Sequence, residues 1–406
     1  MRVAEEMLGH DPGVMKRRRT LLLRGATVAS MIAGLLVVGG LSAASAAPKG
    51  SVIQIGSDLE QSGPASAYGE PQVQGAQLYI SQVDAKGGVD GHKIVLDEKD
   101  NQTTNTGAVS AFDQLAQTKN VVAVFGPSLP SEVALMETLA RSRHLPLLSF
   151  MLSPTDQQIN ANPYWFRIAW SDPATIQALL AQVKKNGGTS VGVIYPNDAG
   201  GTEGWAVIQQ YAASYGLTIS GSSVYQDGVV DPTSEVLSVS AGSPSAYVVW
   251  DPDSGSQLGL VVKTIRDNGI TAPIYVPESA AASTFEQAAG STINNVYYWA
   301  SFSPLKPNNP LRVAFVKAFK AKYGALPTDF SAAGYAQAQA LVQAITIVLN
   351  EKKPATGPNV EKAMESMKDF QTVYGDVTWT KKNHAEPFSK VNILEYRGGI
   401  PYQVVG

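Results

Sequence analysis

Residues 53–91 read IQIGSDLEQSGPASAYGEPQVQGAQLYISQVDAKGGVDG, and this stretch decides the fold. The apolar run Val52–Ile55 at its start predicts a buried strand. A loop built from Ser62, Gly63, Pro64, Ser66, Tyr68 and Gly69 follows. A helix then begins near Pro71, with Val73, Ala76, Leu78, Ile80 and Val83 on one face. Gly87-Gly88 stops that helix, and Gly91-His92-Lys93 leads into a second strand, Ile94–Leu96. Strand, loop, helix and strand in this order form the crossover that forces a parallel sheet with helix-covered faces. Ligands of such sheets sit at the carboxyl ends of the strands, so the loop Asp58–Gly69 is the first place to look for a site.

Working outward, the 406 residues suffice for two domains with sizeable cores. With 44% hydrophobic and 16% charged residues, the chain reads as globular rather than disordered. There is no cysteine, hence no disulfide, thiolate metal site, cysteine nucleophile or lipid-bearing N-terminal Cys. Met15-Lys16-Arg17-Arg18-Arg19, the apolar run Ala26–Leu41 and the small-residue pattern Ala44-Ser45-Ala46 predict a cleavable export signal within residues 1–47. Residues 1–14 read as an extension ahead of it, and an uncleaved anchor helix is the alternative reading. The expected mature protein starts near Ala47 or Pro48 and is periplasmic or secreted. Without the six basic and three acidic side chains of residues 1–47 it carries 25 Lys+Arg against 31 Asp+Glu, a mildly acidic body that argues against nucleic acid as a partner.

Along the chain, a helix at Gln102–Thr118, a strand at Val121–Phe125, a helix at Glu132–Ser142 and a strand at Pro146–Phe150 continue the alternation. Tyr164–Ile168 reads as a short strand leaving this half. A second series follows: helix Thr175–Lys185, strand Ser190–Tyr195, helix Gly204–Tyr215, strand Thr218–Tyr225, helix Pro232–Ala241, strand Ala246–Trp250, helix Ser256–Asn268 and strand Ile274–Val276. The pattern predicts α/β architecture with two doubly wound parallel-sheet lobes. The Pro/Asn-rich segment from about Val296 to Pro310 reads as a crossing. Helices at Pro310–Tyr323 and Ser331–Leu349, a short helix within 361–369, and strand-like Tyr374–Thr380 and Lys390–Tyr396 complete the reading.

No enzyme constellation is present: there is no G-x-S-x-G elbow, P-loop or H-E-x-x-H, and only four histidines. Gly200-Gly201-Thr202-Glu203-Gly204 lacks both Rossmann spacing and the Walker Lys-Ser/Thr pair, so it reads as a flexible connector. No cofactor and no metal site are expected. A binding cleft fits the residues better. Ser62, Ser66, Ser128, Ser131, Ser149 and Ser153 lie at or just after strand ends of the first half, where hydroxyls and helix-start N–H groups hold a carboxylate; helix capping serves Ser equally well. In the second half, Trp250-Asp251-Pro252 and Val276-Pro277-Glu278-Ser279 occupy strand ends. An acid there pairs with a ligand ammonium or caps the next helix, Trp250 covers an apolar ligand group or fills the core, and Tyr68 lines the cleft.

Leu59-Glu60-Gln61-Ser62-Gly63-Pro64 with Tyr68-Gly69, then Gly75 and Lys86-Gly87-Gly88-Val89-Asp90-Gly91, resembles the start of the branched-chain amino-acid-type (leucine/isoleucine/valine-binding-like) solute-binding proteins, the extracytoplasmic receptors of ABC importers. The likeness continues through Asp97–Asn101, Val121–Pro127, Leu145–Ser149, Phe166-Arg167-Ile168 with Ser171-Asp172, and Tyr335 with Ala340-Leu341 and Ala344-Ile345. It implies a type I periplasmic-binding fold whose two lobes, joined by three hinge crossings near 167–172, 300–304 and 374–378, close on a small solute. The implied lobes are 48–168 plus 304–374 and 169–303 plus 375–406. By position, the resemblance assigns an α-carboxylate to Ser128 or Ser131 and the Met151–Ser153 segment, and an α-ammonium to Glu278. It implies no enzyme activity, a small-molecule solute, a membrane permease as partner, and a monomer.

The sequence departs from the family pattern at ligand contacts: Phe150-Met151-Leu152-Ser153-Pro154, Gly200-Gly201, and Leu129-Pro130 after Gly126-Pro127. An amino acid is therefore the leading solute, with a carboxylate, an amide or an aromatic acid as alternatives. A ligand-sensing module on the same fold is a further alternative.

Overall fold

A computed structural model of the chain describes residues 50–150, 155–304, 309–385, 387–388 and 391–404. The expected signal segment, Met151 and Ser153 lie outside these residues. The first lobe opens with strand β1 (Ile53–Leu59), helix α1 (Ser66–Asp84) and strand β2 (Ile94–Asp100). Helix α2 (Asn105–Gln117), β3 (Val121–Phe125), α3 (Pro130–Arg143), β4 (Leu147–Ser149), the short α4 (Asp156–Asn160) and β5 (Trp165–Arg167) follow. The five strands form one parallel sheet in the order β2-β1-β3-β4-β5. Its central strands are almost wholly buried, which is why they read as unbroken apolar runs.

The second lobe runs through α5 (Asp172–Lys185), β6 (Ser190–Pro196), α6 (Ala199–Tyr211), β7 (Thr218–Tyr225), α7 (Thr233–Ser240), β8 (Ala246–Val249), α8 (Gly255–Asp267), β9 (Ile274–Val276), α9 (Ser283–Ala289) and β10 (Val296–Trp299). The chain then adds α10 (Pro310–Tyr323), α11 (Asp329–Asn350) and α12 (Gly357–Glu365), the two-residue strands β11 (Phe370–Gln371) and β12 (Asp376–Val377), and finally β13 (Ile393–Arg397) and β14 (Ile400–Val404). The second sheet has the order β14-β13-β10-β9-β8-β6-β7, parallel except where β13 pairs antiparallel with β10 and β14.

Several expectations are corrected. Val296–Trp299 is a fully buried strand, not part of a crossing, because its Val-Tyr-Tyr-Trp sequence fits a pleated, covered surface. Gly200–Gly204 lies in the first turns of α6, where Asp198 caps the helix by accepting from Gly201 N–H at 2.7 Å, so it is not a connector. The strand-like Tyr374–Thr380 contracts to Asp376–Val377, while α9 and β14 were not foreseen.

Helix α11 is long and apolar enough to cross a membrane, yet 83% of its most apolar window is buried inside the protein, which makes it a core helix. It lies against α1 so closely that a Cβ on Gly75 would sit 2.0 Å from the Ser331 carbonyl oxygen, and one on Gly334 1.9 Å from that of Gln72. Tyr68 stacks on Phe330 across this seam, and Tyr335 donates to Gln82 Oε1 at 2.6 Å.

The crossings are tied to one another. The Trp379 indole N–H donates to the Arg167 carbonyl at 3.1 Å, and Arg167 Nε donates to the Ala385 carbonyl at 2.9 Å. Asp329, at the start of α11, accepts from Phe302 N–H at 2.8 Å and from the Tyr374 hydroxyl at 2.6 Å. Arg312 donates to the carbonyls of Val373, Tyr374 and Ser301.

Replacing Gly334 by Leu overpacks the α1–α11 seam against backbone and is expected to cost about 3 kcal/mol. Urea unfolding of Gly334→Leu beside the wild type measures this, and equal midpoints and slopes would show that the seam yields freely.

Candidate functional site

Each sheet reverses its strand order at one place. In the first lobe β1 lies between β2 and β3, and in the second β6 lies between β7 and β8. At such a switch point the loops leaving two neighbouring strands part and open a crevice. The loops after β1 and β3 bring together Glu60 and Ser128; those after β6 and β8 carry Asp198 and Asp251–Ser254.

In the first lobe Gly126, at φ +92°, lets the loop after β3 pass so near β1 that a Cβ there would meet the Asp58 carbonyl oxygen at 2.0 Å. Ser128 then faces the Glu60 carboxylate with two donors. Its backbone N–H reaches Oε1 at 2.9 Å and its hydroxyl bonds Oε2. The Asn101 amide donates to Glu132 Oε2 at 2.9 Å and to Asp58 Oδ1 at 3.2 Å, with a longer 3.4 Å contact to Glu60 Oε1. Asp58, Glu60, Glu132 and Asn101 are all buried, and Asp58 Oδ2 has no partner. Burial, then the charge of Glu60, holds the Asp58 and Glu132 carboxyls above their usual range.

The second lobe supplies another group of acids. Asp251, buried after β8, accepts from the Tyr225 hydroxyl and from Ser254 N–H at 2.9 Å. Burial pushes its carboxyl up to about 7 despite the Tyr225 bond. Asp172 opens α5 and is buried, and desolvation pushes it up to about 8, with Glu203 adding to the shift and Arg167 opposing it. Glu278, in the turn after β9, is 6% exposed; burial raises it well above the ordinary range, as do the charges of Asp172, Asp329 and Asp253. Asp172 Oδ1, Asp253 Oδ1 and Glu278 Oε2 are buried atoms without a hydrogen-bond partner, as are the indole N–H groups of Trp170, Trp250 and Trp299.

The two lobes meet at Tyr68, whose phenol oxygen accepts from Gly255 N–H of α8 at 2.6 Å. Burial and the charges of Asp251, Asp253 and Glu278 raise the Tyr68 hydroxyl. Behind it Phe330, Phe150, Tyr374 and Trp170 follow one another at ring separations of 4.8 to 6.2 Å.

The structure thus brings Tyr68, Ser128 and Glu278 to the facing surfaces of the lobes. Ser131 is exposed in the first turn of α3. The Ser149 hydroxyl is used inside the sheet, accepting from the Trp165 indole at 3.0 Å and donating to the Phe166 carbonyl. Trp250 packs on α6, where a Cβ on Gly204 would come within 2.1 Å of its ring. Met151 and Ser153 lie outside the described residues. The acids Asp58, Glu60, Glu132 and Asp253 were missed. The available signal was the pair Asp58 and Glu60, two apart at the end of an apolar strand and therefore on one face. Among the described residues no group of three His, Cys, Asp or Glu side chains is arranged to hold a metal ion.

This geometry is that of a two-lobed solute-binding protein. The profile of the family described as periplasmic binding protein matches residues 52–399, and the chain belongs to that family. Membership implies an exported receptor that takes up a small solute for an ABC transporter. The Leu/Ile/Val-binding protein homolog 7 of Brucella abortus is 26% identical over 341 residues, covering 80% of this chain and 83% of the relative. Among solved structures, the branched-chain amino acid transporter substrate-binding protein LivJ of Streptococcus pneumoniae, in complex with isoleucine, superposes with a TM-score of 0.76 at 23% identity, covering 87% of this chain and all of that one. The leucine-binding protein LivK of Thermotoga maritima gives 0.78 at 18% identity, covering 87% and 98%. These likenesses establish the type I periplasmic-binding fold.

An acid whose folded pKa is raised holds a proton that the unfolded chain has already released, so stability falls as pH rises through that window. For Asp172 and Asp251 the window runs from 3.8 to about 8 and about 7. Asp58, Glu132, Asp253 and Glu278 shift the same way. His384, lowered by burial, and the mostly exposed Asp100 act in the opposite sense. Without solute the protein is therefore expected to melt at a lower temperature at pH 8 than at pH 5.5. Scanning calorimetry at the two values measures this, and a higher melting point at pH 8 would mean that the buried acids are charged and balanced.

Proposed function

We propose that this protein is the extracytoplasmic receptor of an ABC importer, not an enzyme, and that it closes on a small solute bearing an ammonium group and delivers it to a membrane permease. Residues 48–168 with 304–374 act as one lobe and 169–303 with 375–406 as the other. The chain is exported on a cleavable signal and works as a monomer. An amino acid is the solute that the relatives' names suggest.

The observation that carries this reading is Glu278. Its Oε2 atom is buried without a donor, and its leading charged neighbours, Asp172, Asp329 and Asp253, are acids as well. A buried carboxyl surrounded by acids is expensive to ionise alone, and a solute's cationic nitrogen supplies the missing charge and the missing donor together. Closure removes both from water, which strengthens the pair and makes the closed form depend on the solute.

Glu278→Gln keeps the shape and removes the charge. It is expected to weaken an ammonium-bearing solute by roughly tenfold or more, the order found for losing one partner of a desolvated charge pair. A thermal-shift screen identifies the solute, since a ligand at 100 times its dissociation constant adds about 2.7 kcal/mol. Calorimetric titration of wild type and variant then measures the ratio, and equal affinities would remove Glu278 from the site.

A further inference from the structure

A carboxylate entering the first lobe would seek the donors at the start of α3, a helix of 14 residues whose leading N–H groups and Ser128 hydroxyl face the end of β3. The two that Ser128 offers are already engaged. Both Glu60 oxygens are held by Ser128, one by the backbone N–H at 2.9 Å and the other by the hydroxyl, the two-point grip that an external carboxylate would require. Glu60 cannot be pushed aside cheaply. It is fully buried, and a Cβ on Gly69 would sit 2.2 Å from its carbonyl oxygen, so α1 fixes its backbone. Its neighbours Asp58 and Glu132 are buried acids that share the amide of Asn101.

The surroundings are rich in buried acids as well. Asp58 Oδ2 is wholly buried and has no donor, and in the facing lobe the same holds for Asp172 Oδ1 and Glu278 Oε2. The field of Asp253 in the second lobe reaches Glu132 in the first, so the acids of the two lobes lie within electrostatic reach of each other. Arg167, the cation nearest Asp172 in effect, is itself held by Asp156 and the Ala385 carbonyl. Carboxyls of this kind hold protons when alone and release them to pair with an entering cation, whereas a carboxylate finds both Ser128 donors taken.

Resting on the receptor reading above, we infer that the solute is an organic amine without an α-carboxylate, because Glu60 fills the seat on Ser128 that such a carboxylate would take. The solute's ammonium is held by Glu278 and its facing acids. Any second donor on the solute meets Asp58 and Glu132.

The test compares each amino acid with the amine that lacks its carboxylate: L-leucine with 3-methylbutan-1-amine, L-phenylalanine with 2-phenylethan-1-amine, L-arginine with agmatine, and L-ornithine with 1,4-diaminobutane. Each is titrated calorimetrically into the exported protein. In at least one pair the amine is expected to bind tenfold or more tightly than its amino acid. Glu60→Ala, which vacates the seat, is expected to narrow or reverse that ratio by gaining the amino acid. An amino acid that binds wild type as well as or better than its amine overturns the inference and leaves the receptor reading standing. Binding confined to 4-methylpentanoate, a carboxylic acid without nitrogen, overturns both the inference and the ammonium reading. Failure of every amine to bind overturns the inference, and the wild-type comparison decides it even if Glu60→Ala does not fold.

Discussion

Carboxyl groups withdrawn from water at the meeting surfaces of the two lobes are the constraint on which the rest of this structure depends. A buried carboxylate needs donors or a counter-charge, and otherwise it takes up a proton. The chain supplies donors to some of its acids, through Ser128, Asn101 and Tyr225, and withholds them from one oxygen each of Asp172, Asp253 and Glu278. The satisfied acids hold the loops of each switch point in place. The unsatisfied ones define what must come from outside.

The hinges serve the same end by a different route. Three separate stretches cross between the lobes, and each is bound by side chains rather than left as free linker. Asp329 and Arg312 join the second crossing to the third, and the Trp379 indole joins the third to the first. Because Asp329 also opens α11, the core helix packed on α1, the hinge is continuous with the rigid body that carries Tyr68.

Much of this was legible in the sequence. Val121–Phe125, Ile274–Val276 and Pro310–Tyr323 occur where hydrophobic runs and breakers put them, since a buried parallel strand or an amphipathic helix has no other way to be written. The strand Val296–Trp299 was hidden by the Pro and Asn residues that follow it, and β14 by its position after a Gly-Gly turn near the end of the chain. At the site, Ser128 and Glu278 were marked by their place after strands, whereas the partnership of Ser128 with Glu60 was not. The two are 68 residues apart and meet only because β1 and β3 are neighbours in the sheet. No spacing rule encodes a contact made by topology, and the chemistry of this cleft is made of such contacts.

The bond from Gly255 N–H to the Tyr68 oxygen spans the lobes with protein atoms alone. It is a latch made without any solute atom, so it favours the shut arrangement by itself and lets a modest grip on the solute appear as a tight one. Wherever such a latch persists with solute bound it narrows the contrast between full and empty receptors, because a contact common to both contributes nothing to telling them apart. Discrimination at the transporter then depends on the few groups whose bonding changes when cargo arrives.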